Sequence, residues 1–170
     1  MTQIAQIETE RLRLVAPTEA CLETYLDFYT DGAASQLYGG PIEPAQVLAR
    51  LKADLGSWYL CGFGVWVIQE KATNKYIGTC GFWRGYNWPT ELTWWLLPEA
   101  RGCGYAKEAS HAAISHAYEK LGFNEVRTYM NDENIAARML VERLGGVKIE
   151  RKLFPDGLYR DIYSLPKENA

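Results

Sequence analysis

At 170 residues, with 48% hydrophobic and 23% charged side chains, the chain has the size and composition of a single compact domain (1–170), unlike a disordered segment. A net charge of −3 argues against a nucleic-acid surface, which needs clustered Lys and Arg, and no apolar run is long enough to span a membrane. The opening Met1-Thr2-Gln3-Ile4-Ala5-Gln6 has neither a basic start nor an apolar core, so a cytoplasmic protein without a secretion signal is expected.

Residues 10–15 alternate with a period of two and predict a strand, ended by Pro17. Thr18 is positioned to cap a helix reaching Tyr29, and Pro44 opens a second helix toward Trp58. Between them, Asp31-Gly32-Ala33-Ala34-Ser35 and Gly39-Gly40-Pro41 predict a mobile loop over one end of the domain. Residues 64–69, 76–82 and 91–97 read as three strands of an antiparallel meander. A helix over 105–121 carries a thin stripe of Ala106, Ala109, Ala113, Ala117 and Leu121, and Gly122 ends it. A strand over 125–130 follows, then a shorter helix capped by Asn134 with Ala136, Leu140 and Leu144 toward the core. Strands 147–154 and 158–165 flank the turn Pro155-Asp156-Gly157 as a hairpin. The order β-α-α-β-β-β-α-β-α-β-β describes an α+β domain.

Cys21, Cys61, Cys80 and Cys103 are widely spaced and form no Cys-x-x-Cys pair, as expected in a reducing compartment. The only histidines, His111 and His116, fall on different faces of one predicted helix, so no metal site is expected.

The most informative stretch is Leu96-Leu97-Pro98-Glu99-Ala100-Arg101-Gly102-Cys103-Gly104-Tyr105-Ala106, a strand that enters a glycine-paired turn and passes straight into a helix. Two glycines one residue apart let the backbone approach a ligand with its N–H groups forward. The first helical turn adds donors without intrahelical partners and the positive end of the helix dipole, roughly half a unit charge. Such a place holds an anion such as phosphate. A dinucleotide fingerprint needs a third glycine where Lys107 stands, and no Walker Lys-Ser/Thr follows the turn. Taken alone, Gly102 and Gly104 would read first as a tight turn with no ligand, since turn glycines are common.

Thr93-Trp94-Trp95 running through that turn to Lys107-Glu108-Ala109 resembles the acetyl-CoA motif of the GNAT superfamily of N-acetyltransferases. Glu8-Thr9-Glu10-Arg11-Leu12-Arg13-Leu14 resembles the opening strand of its branch acting on ribosomal-protein N-termini. Asn134-Ile135-Ala136-Ala137-Arg138 with Glu142-Arg143-Leu144-Gly145 is similar to the family's next helix, in the family's order and spacing. The resemblance implies a three-layer α/β sandwich. Its central sheet would be mixed but mostly antiparallel, with about seven strands, a splayed fourth and fifth strand, and about four helices. Acetyl-CoA would be the cosubstrate, without a metal. Backbone N–H groups of Arg101, Gly102, Cys103, Gly104, Tyr105 and Ala106 would hold the pyrophosphate. The strand around Trp95, Leu96 and Leu97 would pair with the pantetheine amides, and Asn134 would contact that arm or its water.

The implied activity is direct transfer of the acetyl group to a primary amine of a peptide or small molecule in a ternary complex. An antibiotic- or toxin-modifying enzyme and a non-catalytic acyl-CoA sensor are the alternatives, and a monomer or homodimer is expected. A backbone N–H near Trp95 or Leu96 would serve the oxyanion. Glu91 matches the position where relatives carry a glutamate acting as base through water; its alternative is a solvated or paired residue at a strand start. Ala137 and Val141 stand where family branches place serine and tyrosine, so the leaving thiolate lacks its usual proton donor. Tyr105, Tyr118, Tyr129 and Cys80 remain as substitutes. Trp83 and Trp88 flank the loop beside the expected acceptor mouth and suit an acceptor with an aromatic or apolar part, and the weak net acidity slightly favours a cationic one.

Overall fold

The computed structural model describes residues 3–167, so Met1 and Thr2 of the opening segment and residues 168–170 lie outside the description. The chain runs β1 (Ile7–Glu8), β2 (Leu12–Val15), α1 (Leu22–Tyr29), α2 (Gly32–Ser35), α3 (Pro44–Cys61), β3 (Val65–Glu70), β4 (Tyr76–Trp83) and β5 (Glu91–Leu96). It continues through α4 (Tyr105–Glu119), β6 (Val126–Tyr129), α5 (Ile135–Arg143), β7 (Val147–Leu153) and β8 (Tyr159–Leu165).

Every strand pairing is antiparallel, and the strands divide into two sheets, β1-β2-β3-β4-β5 and β6-β8-β7. The expected single mixed sheet is therefore split, and the split falls between β5 and β6, where the resemblance placed the splay. Among the described residues no ladder joins the two strands, and buried Thr128 donates its hydroxyl to Leu92 O at 2.8 Å across the gap.

Strand alternation explains why both faces of the larger sheet are covered. Trp66, Ile68, Cys80, Phe82, Leu92, Trp94 and Leu96 pack with Ala109, Ala113 and Ala117 of α4 and with Leu140 and Val141 of α5. Val67, Trp95 and Leu97 face the other way, against Tyr25, Phe28 and Tyr29 of α1 and Val47 and Leu51 of α3. Trp95 is the hinge of that second cluster, stacked on Phe28 at 4.1 Å between ring centroids and edge-on to Tyr25 at 5.4 Å. Ala109, Ala113 and Ala117 of the stripe are fully buried and Ala106 half-buried, because a side chain without γ atoms lets the helix axis lie close to the sheet.

Local chemistry accounts for the departures from the sequence reading. The segment expected to be a mobile loop contains α2, because Asp31 caps it: its carboxylate accepts from Ala34 N at 3.1 Å. Thr18 makes no capping bond, and a 3-10 turn over Glu19–Cys21 precedes α1. Helix α3 does begin at Pro44, closed by a reciprocal box between Glu43 and Gln46. Helix α4 stops at Glu119, since the N–H groups of Lys120 and Leu121 both converge on His116 O. In α5 the buried stripe is Ala137, Leu140, Val141 and Leu144, with Ala136 exposed. Asn134 capping through Ala137 N fixes that helical phase.

Replacing Thr128 with Val keeps the side-chain shape and leaves the buried Leu92 O without its donor. We expect a loss of about 1 to 3 kcal/mol in urea unfolding, and a Val variant as stable as wild type would show that the bond across the gap contributes nothing.

Candidate functional site

The register of β5 decides which of its backbone groups are free. Leu97 N donates to Ile77 O at 2.9 Å, and Thr79 and Trp95, Gly81 and Thr93, and Trp83 and Glu91 are the register partners two residues further along each time. Odd-numbered residues of β5 therefore direct their N–H and C=O toward β4, and Leu92, Trp94 and Leu96 direct theirs into the gap. Leu92 O accepts from Thr128, and Leu96 O from Arg101 Nε at 3.2 Å. The Trp94 backbone and the Leu96 N–H form an open edge. This corrects the expectation for Trp95 and Leu97, whose backbone N–H groups are engaged by β4. Of the N–H groups near Trp95 and Leu96, those directed into the gap belong to Trp94 and Leu96.

At the end of this edge the chain turns through Gly102 and Gly104, both with φ of +81°. That left-handed conformation disfavours any side chain, and at Gly102 nothing lies within 4 Å of where a Cβ would stand. Gly104 is the N-cap of α4 with no side chain capping it, so the first-turn N–H groups of Tyr105 and Ala106 have no intrahelical acceptor. The turn is braced from outside: Arg11 donates to Cys103 O at 2.8 Å and pairs with Glu108 at 2.8 Å. Arg101 also reaches Ala34 O at 3.1 Å, which fastens α2 to this corner. Cys103 is exposed, and Tyr105 points away to Glu70, to which its O–H donates at 2.7 Å. Arg101 departs from the expected row, because its N–H donates to Pro98 O at 3.2 Å; the braced N–H groups from Gly102 to Ala106 have the geometry that a pyrophosphate requires.

The other end of the gap opens into a cavity of about 400 Å³. Glu91, Thr93 and Trp95 reach it from one face of β5, Trp83 and Trp88 from the loop side, and Tyr29, Arg50 and Asp54 from the helices above. Asn134 is buried and lines it too, with Oδ1 held by Ala137 N, so its role as helix cap is evident and its amide group borders the cavity. Glu91 and Asn134 are thus brought together at one cavity, while Arg101 to Ala106 lie at the far end of the open edge. Burial pushes the Glu91 carboxyl well above the ordinary carboxylate range, with nearby Arg160 opposing that shift. Of the four candidate proton donors, only Tyr129 borders the cavity, and its O–H is given to Pro89 O at 2.8 Å. Tyr118 donates to Leu165 O and Cys80 sits against Ser110, its thiol pushed up by burial to about 12.

Three residues of the cavity escaped the sequence reading. Arg160, 6% exposed, is held bidentate by Asp156 at 2.6 and 3.0 Å and donates Nε to Asn131 at 2.8 Å. Its guanidinium lies 5.3 Å from the Trp88 ring centre and 5.0 Å from that of Phe154. Asp156 had been legible only as a turn residue. Asp54, 8% exposed, accepts from Tyr25 O–H at 2.7 Å, and burial raises its carboxyl to about 6. The signal for Asp54 was available: it occupies a core position in the stripe Val47, Leu51, Asp54, Trp58 of α3. Among the described residues no three His, Cys, Asp or Glu side chains gather as a metal site, and no helix is long and apolar enough to cross a membrane.

Comparison with known proteins places this geometry in a family. The model of the acetyltransferase (GNAT) domain matches residues 11–147. The uncharacterized N-acetyltransferase YoaA of Bacillus subtilis (strain 168) is 23% identical over 170 residues, covering 95% of this chain and 96% of that protein. The crystal structure of an acetyltransferase from Agrobacterium tumefaciens str. C58 superposes with a TM-score of 0.88 at 28% identity, covering 98% of this chain and 96% of that one. The ribosomal-protein-S5-alanine acetyltransferase of Vibrio fischeri shares the fold at a TM-score of 0.74 and 14% identity, with 98% of each chain covered.

The raised Asp54 pKa has a stability signature. An acid whose folded pKa lies above its unfolded value near 3.8 lowers stability as pH rises through the folded value near 6. Asp54→Asn should therefore stabilise the fold above pH 6, by at most roughly 3 kcal/mol, with the gain vanishing below about pH 4. Thermal melts of both proteins at pH 4 and pH 8 measure this, and a variant less stable at pH 8 than at pH 4 relative to wild type would contradict it.

Proposed function

The chain belongs to the GNAT acetyltransferase family, and from that we propose that residues 1–170 act as one acetyltransferase domain that transfers the acetyl group of acetyl-CoA to a primary amine held in the cavity beside Glu91. The observation that carries this reading is the open edge of β5, which runs from the acidic, aromatic-walled cavity to the exposed N–H cradle at α4. Donor and acceptor positions are joined by one strand.

The residues present fit the cosubstrate. Gly102 to Ala106 offer main-chain donors to the pyrophosphate, and the Trp94 C=O and the Leu96 N–H are free for the pantetheine amides, Leu96 O being held by Arg101. Bound acetyl-CoA supplies a thioester carbonyl open to attack by a neutral amine. Trp94 N–H faces the gap and donates to the carbonyl oxygen as it gains charge, a contribution of about 3 kcal/mol if it equals other such donors. Glu91, ionised, takes the proton from the amine directly or through one water. Its raised pKa makes it a better base than a solvated glutamate. The demand on it depends on the acceptor: a lysine-type amine with a pKa near 10.4 costs roughly 4 kcal/mol to deprotonate at neutral pH, an α-amine near 7.8 under about 1. Asn134 borders the cavity where its amide reaches the pantetheine arm or its water.

Release of free coenzyme A thiol from acetyl-CoA, measured across peptide α-amines, amino acids, polyamines and aminoglycosides, tests the reading. Turnover with at least one class is expected, and silence across the whole panel with coenzyme A still bound would assign the chain to sensing instead. Glu91→Gln should lower kcat/KM by about 10²-fold and remove the rise of rate with pH, whereas a variant that matches wild type from pH 6 to 9 takes Glu91 out of the mechanism. Gly104→Ala places a Cβ on a left-handed residue, 3.4 Å from Arg11 Nη2. It should weaken coenzyme A binding by about tenfold or more in calorimetry, because the turn must reshape at a cost of about 1 to 2 kcal/mol.

A further inference from the structure

The cavity holds a buried carboxylate that the acetyl transfer does not use. Asp54 lies on α3, on the face of the sheet that Glu91, Thr93 and Trp95 share, and is more than nine-tenths buried. Its Oδ2 accepts from Tyr25 O–H at 2.7 Å; among the described residues Oδ1 has no hydrogen-bond donor, and the residue lines the cavity. Neither nearby cation makes an ion pair with it among the described residues: Arg50 attracts the Asp54 carboxylate only at a distance and lies over the Tyr29 ring at 5.2 Å, and Arg160 is neutralised by Asp156. Aromatic rings of Tyr29, Trp95, Trp83 and Trp88 supply much of the wall, a lining that stabilises a cation through its ring faces.

Tyr25 ties Asp54 to one end of this space. The same phenol's ring packs on Trp95, and Trp95 is four residues from Glu91 along β5, about 13 Å of strand. Two carboxylates thus border one cavity, Glu91 at the start of β5 and Asp54 tied through Tyr25 to the Trp95 ring further along the strand. Resting on the amine-acetylating reading above, we propose that Asp54 anchors a second cationic group of the acceptor, so that the preferred substrates are short flexible diamines or amines carrying a distal ammonium. The reacting amine lies at Glu91, the distal one donates to Asp54 Oδ1, and the methylene chain between them lies along the aromatic walls. Asp54 is a specificity residue in this account and takes no part in bond making.

Calorimetric titration of the full chain loaded with coenzyme A, using 1,4-diaminobutane, 1,5-diaminopentane and 1,6-diaminohexane against the alkylamines of the same length, tests the proposal without needing turnover. The best diamine should bind at least tenfold more tightly than its monoamine. Asp54→Asn, which keeps an oxygen for Tyr25 to donate to, should weaken that diamine at least tenfold and leave the monoamine within twofold. In the thiol-release assay the same variant should raise KM for the diamine with kcat little changed, which a merely structural role would not produce. Equal binding of diamine and monoamine by wild type, or an equal loss of both in Asp54→Asn with coenzyme A affinity intact, overturns the proposal. Failure of the acetylation reading shows separately, as diamine binding without thiol release.

Discussion

The separation of β5 from β6 is the constraint on which the rest of this structure depends. Two neighbouring strands that no ladder joins among the described residues, tied by the side-chain bond of Thr128 to Leu92 O, leave a row of main-chain groups in a hydrophobic interior without ladder partners. Unpaired N–H and C=O groups there are unfavourable unless something polar reaches them. Arg101 satisfies Leu96 O from one side, and the remainder, at Trp94 and at the Leu96 N–H, is available to a ligand. The packing on both faces holds the strand in this condition. Trp94 is gripped by the α4 side and Trp95 by Phe28, Tyr25 and Tyr29 on the other, so β5 cannot shift sideways to close the gap.

Much of this was legible in the sequence, and the parts that were not share a cause. The meander, the glycine turn, the alanine stripe of α4 and the cap at Asn134 all follow from local periodicity and turn chemistry, which a linear reading captures. Whether Trp94 or Trp95 has its main chain free depends on hydrogen-bond phase between two strands, and one residue of phase reverses the answer. The same holds in α5, where the buried alanine is Ala137 and not Ala136. The loop reading of residues 31–35 failed because glycine and serine outweighed the capping capacity of Asp31.

Residues missed at the cavity are of a different kind. Arg160 and Asp156 are brought to Trp88 only by the β7-β8 hairpin folding back toward the loop before β5, a long-range contact with no local signature. Asp54 did have one, a charged residue in the buried stripe of an amphipathic helix, where an acid is tolerated only with a donor such as Tyr25. A carboxylate at a core position is the feature that most directly separates a helix that packs from a helix that also lines a site.

The cradle at α4 presents main chain to its ligand, and the cavity presents side chains. Point substitution reaches these two ends unequally. Exchange of Cys103 or Lys107 leaves every N–H of the turn in place, and short of losing Gly102 or Gly104 there is little for a single codon change to remove. At the cavity, each of Asp54, Glu91, Trp88 and Arg160 can be rewritten alone. On the function proposed above, a gene with this architecture is free to drift in what it modifies while inheriting, almost unchanged, the means of holding its donor.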